Sequence, residues 1–274
     1  MRNILCVTLI ALLGGCTSTS VTEKYQDKRN DIINVKDKVI EFETGNVLIG
    51  SVSRLYMSNK CLLIADHKSV DKQIHIFNKN DFSYLTSIGN FGEGPEEITV
   101  MGCLAIDEAH HQLYVSDHAK QKIFSYDMDS VMVDSLYKPQ VKTAMNETLF
   151  PSEYQYINDT LSIAVLIKPT STSTFNQFLG RWNMNTGEMI PMKYTHPDIQ
   201  KKRITFAASE KAGIYVECYT RHDLMTICSL DGELLYNIYG PDWDGGNGNK
   251  LQSFGTVMIG NDKIFVSYCG EDYA

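Results

Sequence analysis

QLYVSDHAKQKIFSYD (112–127) is two short apolar runs joined by a polar turn, and fifty residues upstream CLLIADHKSVDKQIHIFN (61–78) repeats the plan. In each copy the first run closes on Asp-His, at Asp66-His67 and Asp117-His118. Runs rich in Ile, Val, Tyr, Phe and Leu that end on turn residues read as β-strands. The pattern continues outward. FSYLTSIG (82–89) and VMVDSLY (131–137) follow the two pairs as further strands. Fainter copies lie at LSIAVLIK (161–168) with FLGRWNM (178–184), at GIYVECY (213–219) with LMTICSLDG (224–232), and at KIFVSYC (263–269). LAID (104–107) and ITFAAS (204–209) fall where the first strand of a unit belongs. Four short strands per unit, at a spacing of about fifty residues, is the signature of a β-propeller blade. No amphipathic helix of three turns interrupts the series. The fold class is all-β.

Between the first two units lies GNFGEGPEEI (89–98). A dinucleotide fingerprint needs G-x-G-x-x-G between a strand and a helix, whereas this order is G-x-x-G-x-G followed by Pro95 and another β run. The stretch therefore reads as a structural joint, carrying the chain from the rim of one blade to the hub of the next. Glycines there supply backbone angles that other residues avoid. YGPDWDGGNG (239–248) is a thinner echo of it.

Taken together, IGNFGEGPEEI (88–98), LAID, QLYVSD and KIFSYD (122–127) resemble the six-bladed β-propeller lipoproteins of Bacteroides-type bacteria, a TolB-like group related to NHL-repeat propellers. The resemblance covers most of residues 35–274 and rests on Gly89, Gly92, Gly94 and Pro95 at the joint and on YVSD at 114–117. It implies architecture more than activity. It also sets an expectation of six blades, of which the strand pattern accounts for about four and a half, so the chain reads as C-terminally truncated. VIEF (39–42) is the candidate for a ring-closing strand.

The N-terminus has a different character. MRNILCVTLIALLGGC (1–16) places one arginine before an apolar run and small residues, the order of a secretory signal too short to span a membrane. Leu13-Gly14-Gly15-Cys16 resembles the bacterial lipoprotein cleavage box, which implies removal of residues 1–15 and lipidation of Cys16. Residues 16–34 read as a flexible polar tether and 35–274 as the propeller domain. The expected location is a bacterial membrane, anchored by lipid, on the periplasmic side of the outer membrane. Five further cysteines, Cys61, Cys103, Cys218, Cys228 and Cys269, show no metal-type spacing. A Cys218–Cys228 bridge across neighbouring strands stays open.

The 274 residues carry a net charge of −8. Without a basic face this argues against nucleic acid as a partner. No cofactor motif is present. In a four-stranded meander the turns between second and third strands share one face of the disc with the blade-to-blade joints. That face collects Asp66, His67, Asp117, His118, Arg221, His222 and Trp243, the candidate ligand surface, since loops on a rigid scaffold carry function. His67 and His118 are the candidate metal ligands or general bases of an NHL-like lyase or hydrolase, but no third ligand is evident. Asp242 and Asp244 offer oxygen ligands, yet Asn247 and Ser253 stand where a calcium loop of the EF-hand type needs Gly and Glu. Glu93, Glu96 and Glu97 read as a solvated acidic loop, and Tyr114, Tyr126 and Trp182 as packing aromatics. The leading reading is a lipid-anchored binding scaffold for a protein, peptide or glycan. A metal-dependent lyase or hydrolase is the alternative, and a non-functional fragment the third reading.

Overall fold

The computed structural model describes residues 21–29, 31–134, 136–200, 202–246 and 251–272. Cys16, the signal segment and Asn247 lie outside them. The strands are β1 (Glu23–Tyr25), β2 (Ser53–Met57), β3 (Cys61–Asp66), β4 (Lys72–Asn78), β5 (Tyr84–Asn90), β6 (Met101–Asp107), β7 (Gln112–Asp117), β8 (Lys122–Asp127) and β9 (Gln140–Ala144). They continue with β10 (Phe150–Asn158), β11 (Leu161–Pro169), β12 (Phe175–Trp182), β13 (Met189–Pro191), β14 (Ile204–Ser209), β15 (Ile214–Tyr219), β16 (Leu224–Ser229), β17 (Leu234–Tyr239), β18 (Leu251–Gly260) and β19 (Lys263–Asp272). One six-residue helix, α1 (Met128–Val133), follows β8. The sheets are β2–β5 (blade I), β6–β9 (blade II), β10–β13 (blade III), β14–β17 with β1 added at its edge (blade IV), and the pair β18–β19.

Continuous apolar runs are explained by burial on both faces of each sheet. Because side chains alternate along a strand, Leu63 and Ala65 enter the seam with blade II while Leu62 and Ile64 face the opposite way. Leu113 and Val115 share the first seam with Leu63, Ile74 and Ile76, whereas Tyr114 joins Tyr154, Leu166 and Trp182 between blades II and III. Ile163, Tyr215 and Tyr219 fill the seam between III and IV, and Val216 and Cys218 pack on Phe254 and Val257. Each fully buried aliphatic side chain stabilises by roughly 1.5–3 kcal/mol relative to exposure. The seams, not the individual sheets, therefore hold the molecule.

Three expectations are corrected and one open question is answered. The run at 131–137 is not the fourth strand of blade II. Its first residues lie in α1, started by the Asp127 side chain accepting from Ser130 N at 2.7 Å, and Gln140–Ala144 is the strand. VIEF forms no closing strand: Val39 and Ile40 are exposed, and Phe42 stacks on Phe82 over the outer face of blade I. Part of the expected tether is docked, since β1 pairs in parallel with β17 and Arg29 reaches Asp223. The open Cys218–Cys228 pairing is settled against: both thiols are free. Opposite Cys228 stands Tyr215, three residues from Cys218, so the two cysteines point to opposite faces of the sheet.

Candidate functional site

The turn-and-joint face is built from repeated latches. Asp66 is buried at the end of β3 and accepts from Gly50 N at 2.7 Å and from Lys68 N at 2.9 Å. Asp117 holds the same place in blade II, accepting from Thr99 N at 2.8 Å, Val100 N at 3.2 Å, Ala119 N at 2.9 Å and Lys120 N at 3.1 Å. Each carboxylate closes its own turn and pins the incoming joint to it, as expected of an aspartate that hydrogen-bonds its local backbone.

The adjacent histidines span the seams. His67 Nδ1 lies 3.2 Å from the carbonyl of Met101 in the first strand of blade II. His118 faces blade III in the same way, meeting the Pro151 backbone and the Phe150 ring. A carbonyl only accepts, so Nδ1 of His67 carries the proton and its Nε2 is left as a bare acceptor. Burial pushes both histidines below their ordinary proton affinity, the backbone contact offsetting it in part for each. Both Nε2 atoms are buried without a partner. Arg221-His222 does not occupy the equivalent position. His67 N and His118 N donate to Val52 O and Val100 O, and it is Thr220 N that does so in blade IV, to Arg203 O.

The joint itself encloses a cation. Lys120 Nζ donates to the carbonyls of Gly94 and Glu97, both at 2.6 Å, and of Gly92 at 3.3 Å. Glu97 folds back into the loop, its carboxylate accepting from Gly94 N at 2.8 Å. A Cβ at Gly92 would lie 2.0 Å from that carboxylate, and one at Gly94 2.9 Å, so these glycines are required by close approach. Gly89, with φ +74°, is required by its backbone angle. Glu96 pairs with Lys138 at 2.7 Å and Glu93 is exposed, so the three glutamates are not a carboxylate pair.

The shape and connectivity agree with sequence comparison. Residues 17–180 match the model of DUF5128, described as a 6-bladed beta-propeller. The chain belongs to this family. Among solved structures, this DUF5128 propeller is similar to a Bacteroides fragilis protein assigned as exported, at 14% identity over 91% of this chain and 74% of that one, with a TM-score of 0.54. It is similar also to a member of the DUF4221 family from Bacteroides vulgatus, at 11% identity, covering 66% of this chain and 56% of that one, with a TM-score of 0.50. The chain thus spans little more than half the length of the latter, and at these identities the likeness is one of fold. No curated protein matches the sequence.

Elsewhere on the same face of the propeller, Trp243 is half-buried and packed by Tyr239, His196 and His222, with ring centroids 5.0, 5.6 and 6.0 Å away. It is a packed ring more than an open stacking platform. Asp242 accepts from Tyr268 Oη at 2.9 Å, while Asp244 lies 3.7 Å from His222 Nδ1, so the two aspartates serve different partners. Arg221 is exposed at the rim. Among the described residues one set of metal-type donors converges, Asp107, His110 and Asp159, on the opposite face. Asp107 already accepts from His110 Nδ1 at 2.8 Å, and Asp159 from Tyr156 Oη at 2.8 Å. His67 and His118 belong to no such set among those residues.

Sequence reading missed the residues nearest the hub. Arg54 on β2 reaches across to Glu153 on β10, at 2.7 Å, joining blades I and III. Beside Arg54 opens a cleft of about 410 Å³ between blades I and II, with His67, Lys68 and Gln73 on its wall and Phe91 and Val100 at its edge. Nothing in the local sequence marks Gln73, which reads as one residue of a strand. Only the repeated Asp-His signal pointed toward the cleft.

Proposed function

We propose that the protein is a lipid-anchored, extracytoplasmic binding propeller whose ligand enters the cleft between blades I and II. The observation that carries this reading is a division of labour on the turn-and-joint face. Asp66, Asp117 and Lys120 are occupied in holding joints, whereas the cleft wall keeps buried polar atoms without partners, His67 Nε2 and Gln73 Oε1. Buried polar groups without partners are uncommon and ask for an explanation. A ligand supplies one. The lipoprotein box at 13–16 and the exported Bacteroides fragilis relative support the extracytoplasmic location.

A thermal-shift screen of chemically mixed small molecules, run on the full chain in detergent, tests the binding reading. Stabilisation by a hit is expected to vanish in Val100→Trp, which fills the cleft from its exposed edge, and to persist in Lys211→Ala on the opposite face. Unchanged stabilisation in Val100→Trp would place binding elsewhere and overturn the assignment. For the anchor, metabolic labelling with a palmitate analogue is expected to mark the wild-type chain and not Cys16→Ser. Equal labelling of both would remove Cys16 as the lipidated residue.

A further inference from the structure

Resting on that reading of the cleft, we infer its ligand class: a small carboxylic acid that also carries a hydroxyl or amine donor and an apolar flank. Three sets of atoms lead to this. The first is the cationic pair. Lys68 is exposed at the cleft and its ammonium has no ion-pair partner among the described residues, while Arg54 gives Nη1 to Glu153 and also meets the Tyr56 side chain. A guanidinium offers five N–H donors in a planar fork, so Arg54 retains donors matched to a carboxylate.

The second set is the unpartnered acceptors. Gln73 is 2% exposed and its Oε1 has no hydrogen-bond partner. His67 donates from Nδ1 to the Met101 carbonyl, which leaves Nε2 able only to accept. Two acceptors on one wall select for a donor on the ligand, and a carboxylate alone would leave them unsatisfied. A ligand that carries the donor gains a hydrogen bond to these acceptors, while one that lacks it leaves them as they are in the free protein and binds more weakly by that bond. The third set is the apolar edge, where Val52, Phe91 and Val100 are 47%, 44% and 50% exposed. These flank a hydrocarbon portion of the ligand. The volume suits a ligand of modest size, near the lower end of small-molecule pockets.

Three probes separate the features: 3-phenyllactate has both carboxylate and donor, 3-phenylpropionate has the carboxylate only, and 3-phenylpropane-1,2-diol has donors only. Isothermal titration calorimetry on the full chain in detergent is expected to show 3-phenyllactate binding at least tenfold tighter than either of the others. Gln73→Leu is expected to erase the advantage over 3-phenylpropionate, and Lys68→Ala to weaken both acids while leaving the diol unchanged. Lys68 is exposed, so its variant folds normally by circular dichroism even where Gln73→Leu does not. Equal affinities for the three probes, or an undiminished acid affinity in Lys68→Ala, would overturn the ligand class. Absence of binding by all three would do the same. Hits from the screen that remain sensitive to Val100→Trp would still uphold the cleft as a binding site, so the two conclusions fail separately.

Discussion

Lys120 shows how much a single side chain can hold. Its ammonium is the centre around which residues 92–97 wrap, and its own turn is closed by Asp117. Hydrogen bonds to a charged group contribute about 1.5–3 kcal/mol each when removal leaves partners unpaired. Lys120→Met keeps the apolar stem and deletes the charge, leaving three carbonyls to find water. It is expected to lower stability by ~2 kcal/mol, measured by urea unfolding with an unchanged m-value. A loss below a few tenths of a kcal/mol would mean that solvent replaces the ammonium without cost. The glycines around this lysine were legible in the sequence as a joint. The lysine was not, because it lies over twenty residues downstream and nothing local marks it as the group they surround.

At the scale of elements, the docked N-terminal segment is the finding that the sequence concealed. β1 is three residues long and carries no period that would identify it. It forms because β17 presents an unpaired edge, and because side chains on either side have partners waiting. Glu23 accepts from Asn237 and Tyr239, Tyr25 stacks on Tyr239 with centroids 4.5 Å apart, and Arg29 meets the buried Asp223 and lies 3.6 Å over the Tyr268 ring. Covering an edge in this way also guards against pairing with another chain. Arg29→Ala leaves Asp223 buried with its principal cation removed. We expect a stability loss of ~1–3 kcal/mol together with increased self-association by size-exclusion chromatography. A monomeric, equally stable variant would show that the strap is ornamental. With lipid on Cys16, the few residues before Glu23 span at most about 25 Å, so the docked strand would hold blade IV close to the membrane.

Across the whole molecule, histidine chemistry sets an acid limit. Burial lowers the proton affinity of His67, His75, His118, His196 and His222, five of the seven histidines. The unfolded chain takes up these protons near pH 6.5, while the folded chain resists them. Their contribution is therefore complete above about pH 6.5 and is lost as pH falls through the lower folded values. His110 runs the other way. Its bond to Asp107 raises its proton affinity, so its contribution is present below about pH 6.5 and fades as pH rises through the folded value; the ring is exposed, which keeps that contribution small. The Tm is expected to fall between pH 7 and 5, and to fall less steeply in the double variant His67→Gln, His118→Gln. An identical slope in the variant would remove the two seam histidines as its source.

The sequence alone determined the β-propeller class, the blade spacing and the joint at 89–98, because side-chain alternation and turn chemistry are written within a few residues of one another. It also marked Asp66, His67, Asp117 and His118 as equivalent. The tertiary structure decided what those equivalences mean. The carboxylates are latches, the imidazoles cross seams, Thr220 rather than Arg221 or His222 continues the series, and the fourth strand of blade II begins only after a helix. The cleft belongs wholly to that second level. Arg54 and Gln73 come from two strands and Val100 from the segment leading into a third, and their meeting depends on how two blades pack, a relation that no local pattern encodes.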